Sequence, residues 1–190
     1  RYQQNGDSYT DGKTVTIGSK IDEKNFDHVV GLALHEGSHI LLSDFNFLRQ
    51  LRQNTPEQIM MIGEDLGFTR GQIVGHLKNM LNYVEDRRID NIVFKSSPGY
   101  KGYYHTLYKK YFNHKTISKG LTSAMYREID LDSYMFRIIN FTNDATDLTA
   151  LPKLEEIYNL IDLKNISRLK STGGAIEVAR QVCEIVFPMI

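Results

Sequence analysis

Five consecutive residues, His35-Glu36-Gly37-Ser38-His39, hold the types and spacing that chemistry would need. Two histidines four apart on an α-helix lie on one face, so both imidazoles can reach a single ion. Zinc suits such a pair because it takes nitrogen and oxygen ligands without a strong geometric demand. Glu36 points about a quarter-turn away, where it can hold a water rather than the metal. The flanks are apolar on both sides, with Val29, Val30, Leu32, Ala33 and Leu34 before and Ile40, Leu41 and Leu42 after. That context favours a metal motif in mid-helix over two histidines that merely satisfy core hydrogen bonds. Gly37 is expected to thin the helix beside the metal.

A catalytic zinc needs a third protein ligand and an open position. The candidates are His76, His105, His114 and the downstream acids. Six residues after His39 stands Phe45, which excludes a third histidine at that spacing. The segment Asn82-Tyr83-Val84-Glu85-Asp86-Arg87-Arg88-Ile89-Asp90 is charged yet sits in an otherwise apolar helix. Glu85, Asp86, Arg88 and Asp90 do not share one outward face, so some must point inward and find partners or a metal. Glu85, on a ridge with Leu81 and Lys78, is the expected third ligand. Asp86 or Asp90 would accept the free N–H of a ligand histidine, and Arg88, three residues after Glu85, would neutralise the excess acid. Tyr103, Tyr104 and His105 follow this helix after a turn. Tyr104 and His105 are the expected donors to a reaction oxyanion beside Glu36, with core packing the competing role for the tyrosines. A purely structural zinc site would instead close its fourth position with Asp44 or His76.

These residues require elements to hold them. Tyr9 to Gly18 reads as strand material around an Asp11-Gly12 turn. A mostly buried helix follows from about Phe26 and stops near Ser43-Asp44. Thr55-Pro56-Glu57 starts another, with Thr55 as N-cap, and Gly67 ends it. A third starts after Thr69 and runs through Val93 to the break at Pro98-Gly99. Further helices are expected around 121–129, 131–141, 149–162 and 173–187. The fold class is therefore mainly α (α+β): a small N-terminal sheet packed on the histidine helix, with residues 1–115 forming the metal-binding part and 116–190 a helical subdomain completing the same fold.

The 190 residues carry 23 basic and 23 acidic side chains, without the basic stripe of a nucleic-acid binder. The single cysteine, Cys183, cannot form an internal disulfide and sits among Val182, Ile185 and Val186 as an inert thiol. This points to a reducing compartment, the cytoplasm. No apolar signal or spanning segment is present, and membrane association is not expected. The polar run from Arg1 to Asp7, without an initiator methionine, suggests a fragment of a longer chain.

The histidine motif, the segment Asn82 to Asp90 and then Pro98-Gly99-Tyr100 together resemble the zincin (gluzincin-like) metallopeptidase domains found beside von Willebrand factor A domains in bacterial and phage proteins. The likeness covers roughly residues 13 to 112. It implies one zinc ion on His35, His39 and Glu85, a protein or peptide substrate, and a von Willebrand factor A domain in the same or a partner chain. Standard gluzincins place an aspartate four residues after the ligand glutamate; here that position is Ile89, with Asp90 one later. The expected reaction is peptide-bond hydrolysis by a zinc metalloendopeptidase with Glu36 as general base. The alternative is a zinc-bearing protein-binding or assembly module with little turnover.

Overall fold

The structure is a computed structural model that describes residues 6–18 and 21–190; the start of the polar N-terminal run, residues 1–5, lies outside it. The short strands β1 (Tyr9–Thr10) and β2 (Val15–Thr16) pair antiparallel, Tyr9 opposite Thr16. The Asp11 carboxylate closes the turn by accepting from the backbone N–H groups of Lys13 and Thr14, both at 2.8 Å. Gly12 adopts φ +89°, and a side chain there would run into the Phe45 ring. That is why this turn needs glycine.

Helix α1 (Phe26–Leu42) carries the histidine motif and ends at Ser43, whose backbone is extended. Next come α2 (Phe45–Arg49), capped by the Asp44 carboxylate, α3 (Leu51–Asn54) and α4 (Glu57–Asp65). Pro56 occupies the cap position of α4, while the Thr55 hydroxyl turns back to Leu51 O at 2.7 Å. Gly67, at φ +83°, then redirects the chain as expected.

The longest element is α5 (Arg70–Ser96). It opens on a reciprocal cap in which Thr69 accepts from the Gln72 N–H and the Gln72 side chain accepts from Thr69 N–H. The short helical turn Pro98–Tyr100 leads into α6 (Lys101–Tyr111). Gly31 lets α1 and α6 touch: a Cβ on it would lie 2.5 Å from Tyr103 O.

Beyond α6 lie α7 (Lys115–Thr122), α8 (Leu131–Ile139), α9 (Leu154–Ile161) and α10 (Thr172–Val186). The helix expected over 121–129 is displaced. Residues 123–130 are turns, held by the buried Arg137, which donates through Nε to Tyr126 O at 2.6 Å. The helix expected from 149 starts at Leu154, because Lys153 before it takes a left-handed conformation (φ +62°) that no right-handed helix can run through.

The main core joins α4, α5, α8, α9 and α10, with Ile59, Ile73, Leu77, Leu81, Ile138, Ile157, Ile161, Ala179 and Val182 buried in it. A smaller cluster of Ile89, Val93 and Tyr104, with Leu34 and Phe94 against it, ties α1 and α6 to α5. The helix α5 is thus the shared wall of both cores and the scaffold of half the site. The architecture is mainly helical with one small antiparallel sheet, and among the described residues no helix is long and apolar enough to cross a membrane.

Candidate metal centre

On α1 the Nε2 atoms of His35 and His39 converge to 3.3 Å. From α5 the Asp86 carboxylate closes the triangle, its Oδ1 lying 3.6 Å from His35 Nε2 and 3.2 Å from His39 Nε2. Among the described residues these three form the group of ligating side chains able to hold a metal ion.

The remaining hydrogen bonds fix both imidazoles for that purpose. His35 Nδ1 lies 2.9 Å from Asp90 Oδ1, so it is the N–H donor and leaves a lone pair on Nε2. His39 Nδ1 lies 3.0 Å from Ser43 Oγ. The Ser43 hydroxyl has one proton, which it donates to Glu85 Oε1 at 2.9 Å. It must therefore accept from His39 Nδ1–H, which leaves the His39 Nε2 lone pair free as well. Two lone pairs and a carboxylate oxygen aimed at one point repel unless a cation sits among them. Without a metal that cation is a proton. Burial pushes His35 down, but Asp86 and Asp90 outweigh it and raise the imidazole to about 10. Burial would likewise raise Asp86, yet His35 and His39 hold it well below the usual carboxylate range. Two neutral imidazoles and a carboxylate are a donor set that suits zinc.

The third carboxylate is a correction to the sequence expectation, which placed Glu85 on the metal and Asp86 behind it. Glu85 is 2% exposed; it borders the first cleft, but its oxygens are taken by the Ser43 hydroxyl and by a bidentate pair with the buried Arg88 (Nε to Oε2 and Nη2 to Oε1, both 2.7 Å). Its Oε1 also accepts from Thr172 Oγ1 at 2.8 Å. Arg88 does balance this acid as expected, and it further donates to Leu42 O at the end of α1. Of the two acids considered for the place behind a histidine, Asp90 is the one that lies against His35 Nδ1, with the Tyr108 hydroxyl donating to its other oxygen.

The expected oxyanion donors are a second correction. Tyr104 is fully buried behind His35, the rings meeting edge-on at 6.3 Å, and burial raises its phenol to about 12. His105 is exposed on α6 beside Phe94. Neither lines the clefts at the site. Nor do the other histidines: His76 packs between Phe68 and Phe187, His114 caps α7, and His28 meets Lys110. Asp44 is spent on capping α2. Ser43 and Thr172 are the residues that the sequence reading missed. Ser43 carried a signal, four residues beyond His39 on the same face; Thr172, 87 positions from Glu85, carried none.

Two clefts meet at the centre. The first, about 640 Å³, is lined by His35, Glu36, His39, Asp86 and the β1 edge at Tyr9 and Thr10. The second, about 510 Å³, shares His35, Glu36 and Asp86 and runs on to Arg87, Tyr108 and Phe112. Glu36 therefore faces open space beside the triad. Burial lifts its carboxyl above the ordinary value, against the pull of His35 and His39. Beside Gly37, nothing lies within 4 Å of where a Cβ would stand.

Comparison of the chain with protein-family models, with curated proteins and with solved structures gave no match.

Proposed function

We propose that this chain is a zinc-dependent peptidase with a zincin-like site in which His35, His39 and an aspartate, Asp86, in place of the expected glutamate, hold the ion and Glu36 is the general base. The observation that carries the reading is the convergence of three metal-ready donors in a cleft that Glu36 also lines. When bound, zinc lowers the pKa of water and polarises a carbonyl. Glu36 takes the proton of the attacking water and delivers it to the leaving amine; its raised pKa suits both halves of that transfer. Asp90 and Ser43 keep the two imidazoles in the tautomers that this requires. The β1 edge along the first cleft supports an extended peptide as substrate.

The test is the Glu36→Gln variant, assayed by mass spectrometry on a randomised peptide pool. It should keep one zinc per chain and lose cleavage by roughly 10²- to 10⁴-fold, the range for removing a general base. Wild-type protein that is folded and zinc-loaded but cleaves nothing in the pool would defeat the peptidase reading and leave metal-dependent binding.

A further inference from the structure

Arg87 is a buried cation without adequate partners. Its side chain is 7% exposed, and among the described residues neither Nε nor Nη1 has a hydrogen-bond partner. Its ion pair among the described residues is loose: Nη2 stands 3.7 Å from Asp90 Oδ2, an oxygen that already accepts from Tyr108. Aromatic rings form the rest of its surroundings. The guanidinium carbon lies 4.5 Å from the centre of the Tyr108 ring, 4.9 Å from Phe112 and 5.6 Å from Tyr83. Rings of this kind tolerate a cation on their faces but offer its N–H groups no acceptor. Buried polar groups are normally satisfied, so unpaired guanidinium donors in the wall of a cleft call for an anion from outside.

That wall belongs to the second cleft, which also contains Glu36, His35 and Asp86. Arg87 follows Asp86 directly on α5 and lines the same cleft, so an anion held there shares that cleft with the metal-ready group. The cleft is otherwise acidic at Asp7, Glu36, Asp86 and Asp90, and Arg87 is its local attraction for negative charge. Leu107, Tyr108, Tyr111 and Phe112 give the same end an apolar rim.

We propose that Arg87 forms a carboxylate subsite, so that the substrate is a peptide presenting a carboxylate in the same cleft as the scissile bond, either its C-terminus or an acidic side chain. The role as substrate subsite rests on the peptidase reading; binding of the carboxylate does not. A planar guanidinium can take a carboxylate through two parallel N–H bonds, and exclusion of water by the rings strengthens them.

The test is a binding titration of zinc-loaded Glu36→Gln protein with three probes: N-acetyl-phenylalanine, its amide, and the α-amide of N-acetyl-glutamic acid. A carboxylate probe should bind about 10- to 100-fold tighter than the N-acetyl-phenylalanine amide, the span expected for hydrogen bonds to a charged group. Preference for N-acetyl-phenylalanine assigns the subsite to a C-terminus, and preference for the glutamate probe to an acidic side chain. The preference should disappear in Arg87→Gln. Equal binding of acids and amide, or a preference that survives Arg87→Gln and so belongs to the metal, overturns the proposal. Should Arg87→Gln fail to fold, the Arg87 Nε–H NMR resonance, assigned with Arg87→Lys, decides instead. It should shift with the acid and not with the amide; an unmoved resonance overturns the proposal. Loss of turnover by wild-type protein with the carboxylate preference intact would count against the peptidase reading alone.

Discussion

A helix turns about 100° per residue, so the neighbours Glu85 and Asp86 must look in different directions from α5. Asp86 looks at the two Nε2 atoms, Glu85 at Arg88. Their removal should therefore fail in different ways. Asp86→Ala takes away one of the three proposed ligands and should weaken zinc by at least about 100-fold, the upper end seen for losing even a supporting partner, with the helical fold intact. Competition with a chromophoric chelator measures this. Glu85→Gln should instead cost roughly 3–5 kcal/mol in urea unfolding, because it leaves Arg88 buried with no counter-charge. If Glu85→Gln loses zinc at unchanged stability while Asp86→Ala keeps it, the ligand assignment made from the geometry is wrong. Ser43→Ala probes the partner behind His39. It removes the acceptor for Nδ1–H and should cost about 10- to 100-fold in zinc affinity.

At the scale of elements, the helices that carry the site were legible from spacing, but the direction of the side chains on α5 was not. The run of apolar residues ending at Ser43, the Thr69 start and the Pro98-Gly99 break placed α1 and α5 within a residue or two. On α5, however, Tyr83, Val84, Glu85, Arg87, Arg88, Ile89 and Asp90 are all buried. A helix buried around most of its circumference has no single apolar stripe, so periodicity could not say which acid faced the two histidines. Nor could it show that α10 reaches the site. Thr172, the first residue of α10, donates to Glu85 and accepts from Asp44 N–H at 2.9 Å, which clamps α10, α5 and the end of α1 together. Thr172→Val should thus destabilise the protein by about 1–3 kcal/mol, the cost of leaving such buried groups unpaired. Denaturant titration should show a lower midpoint at unchanged slope. A variant as stable as the parent would mean that water replaces the hydroxyl and the clamp is dispensable.

For the whole molecule the question is whether metal and core are one cooperative unit. The site sits on α1 and α5, and α5 is also the wall against which α10 packs. Cys183 reports on that far side. It is buried in α10, and desolvation raises its thiol to about 12, with Glu184 adding to the shift. The raised value keeps the sulfur protonated and unreactive in the folded protein at pH 8; exposure on unfolding restores the ordinary value and with it a reactive thiolate fraction. Labelling by an excess of thiol reagent then follows the open population, provided that reclosing is faster than labelling. Zinc bound to the folded state alone lowers that population by the factor 1 + [Zn]/Kd, so free zinc at a thousand times Kd should slow labelling about 1,000-fold. His35→Ala should abolish the protection, because the thiol is untouched and only the linkage is removed. If zinc slows labelling much less than this while binding stoichiometrically, Cys183 becomes exposed through a local opening of α10 that leaves the metal in place. The Glu85–Thr172 contact would then be the point at which the molecule divides, and Thr172→Val should speed labelling in the presence of zinc as much as in its absence.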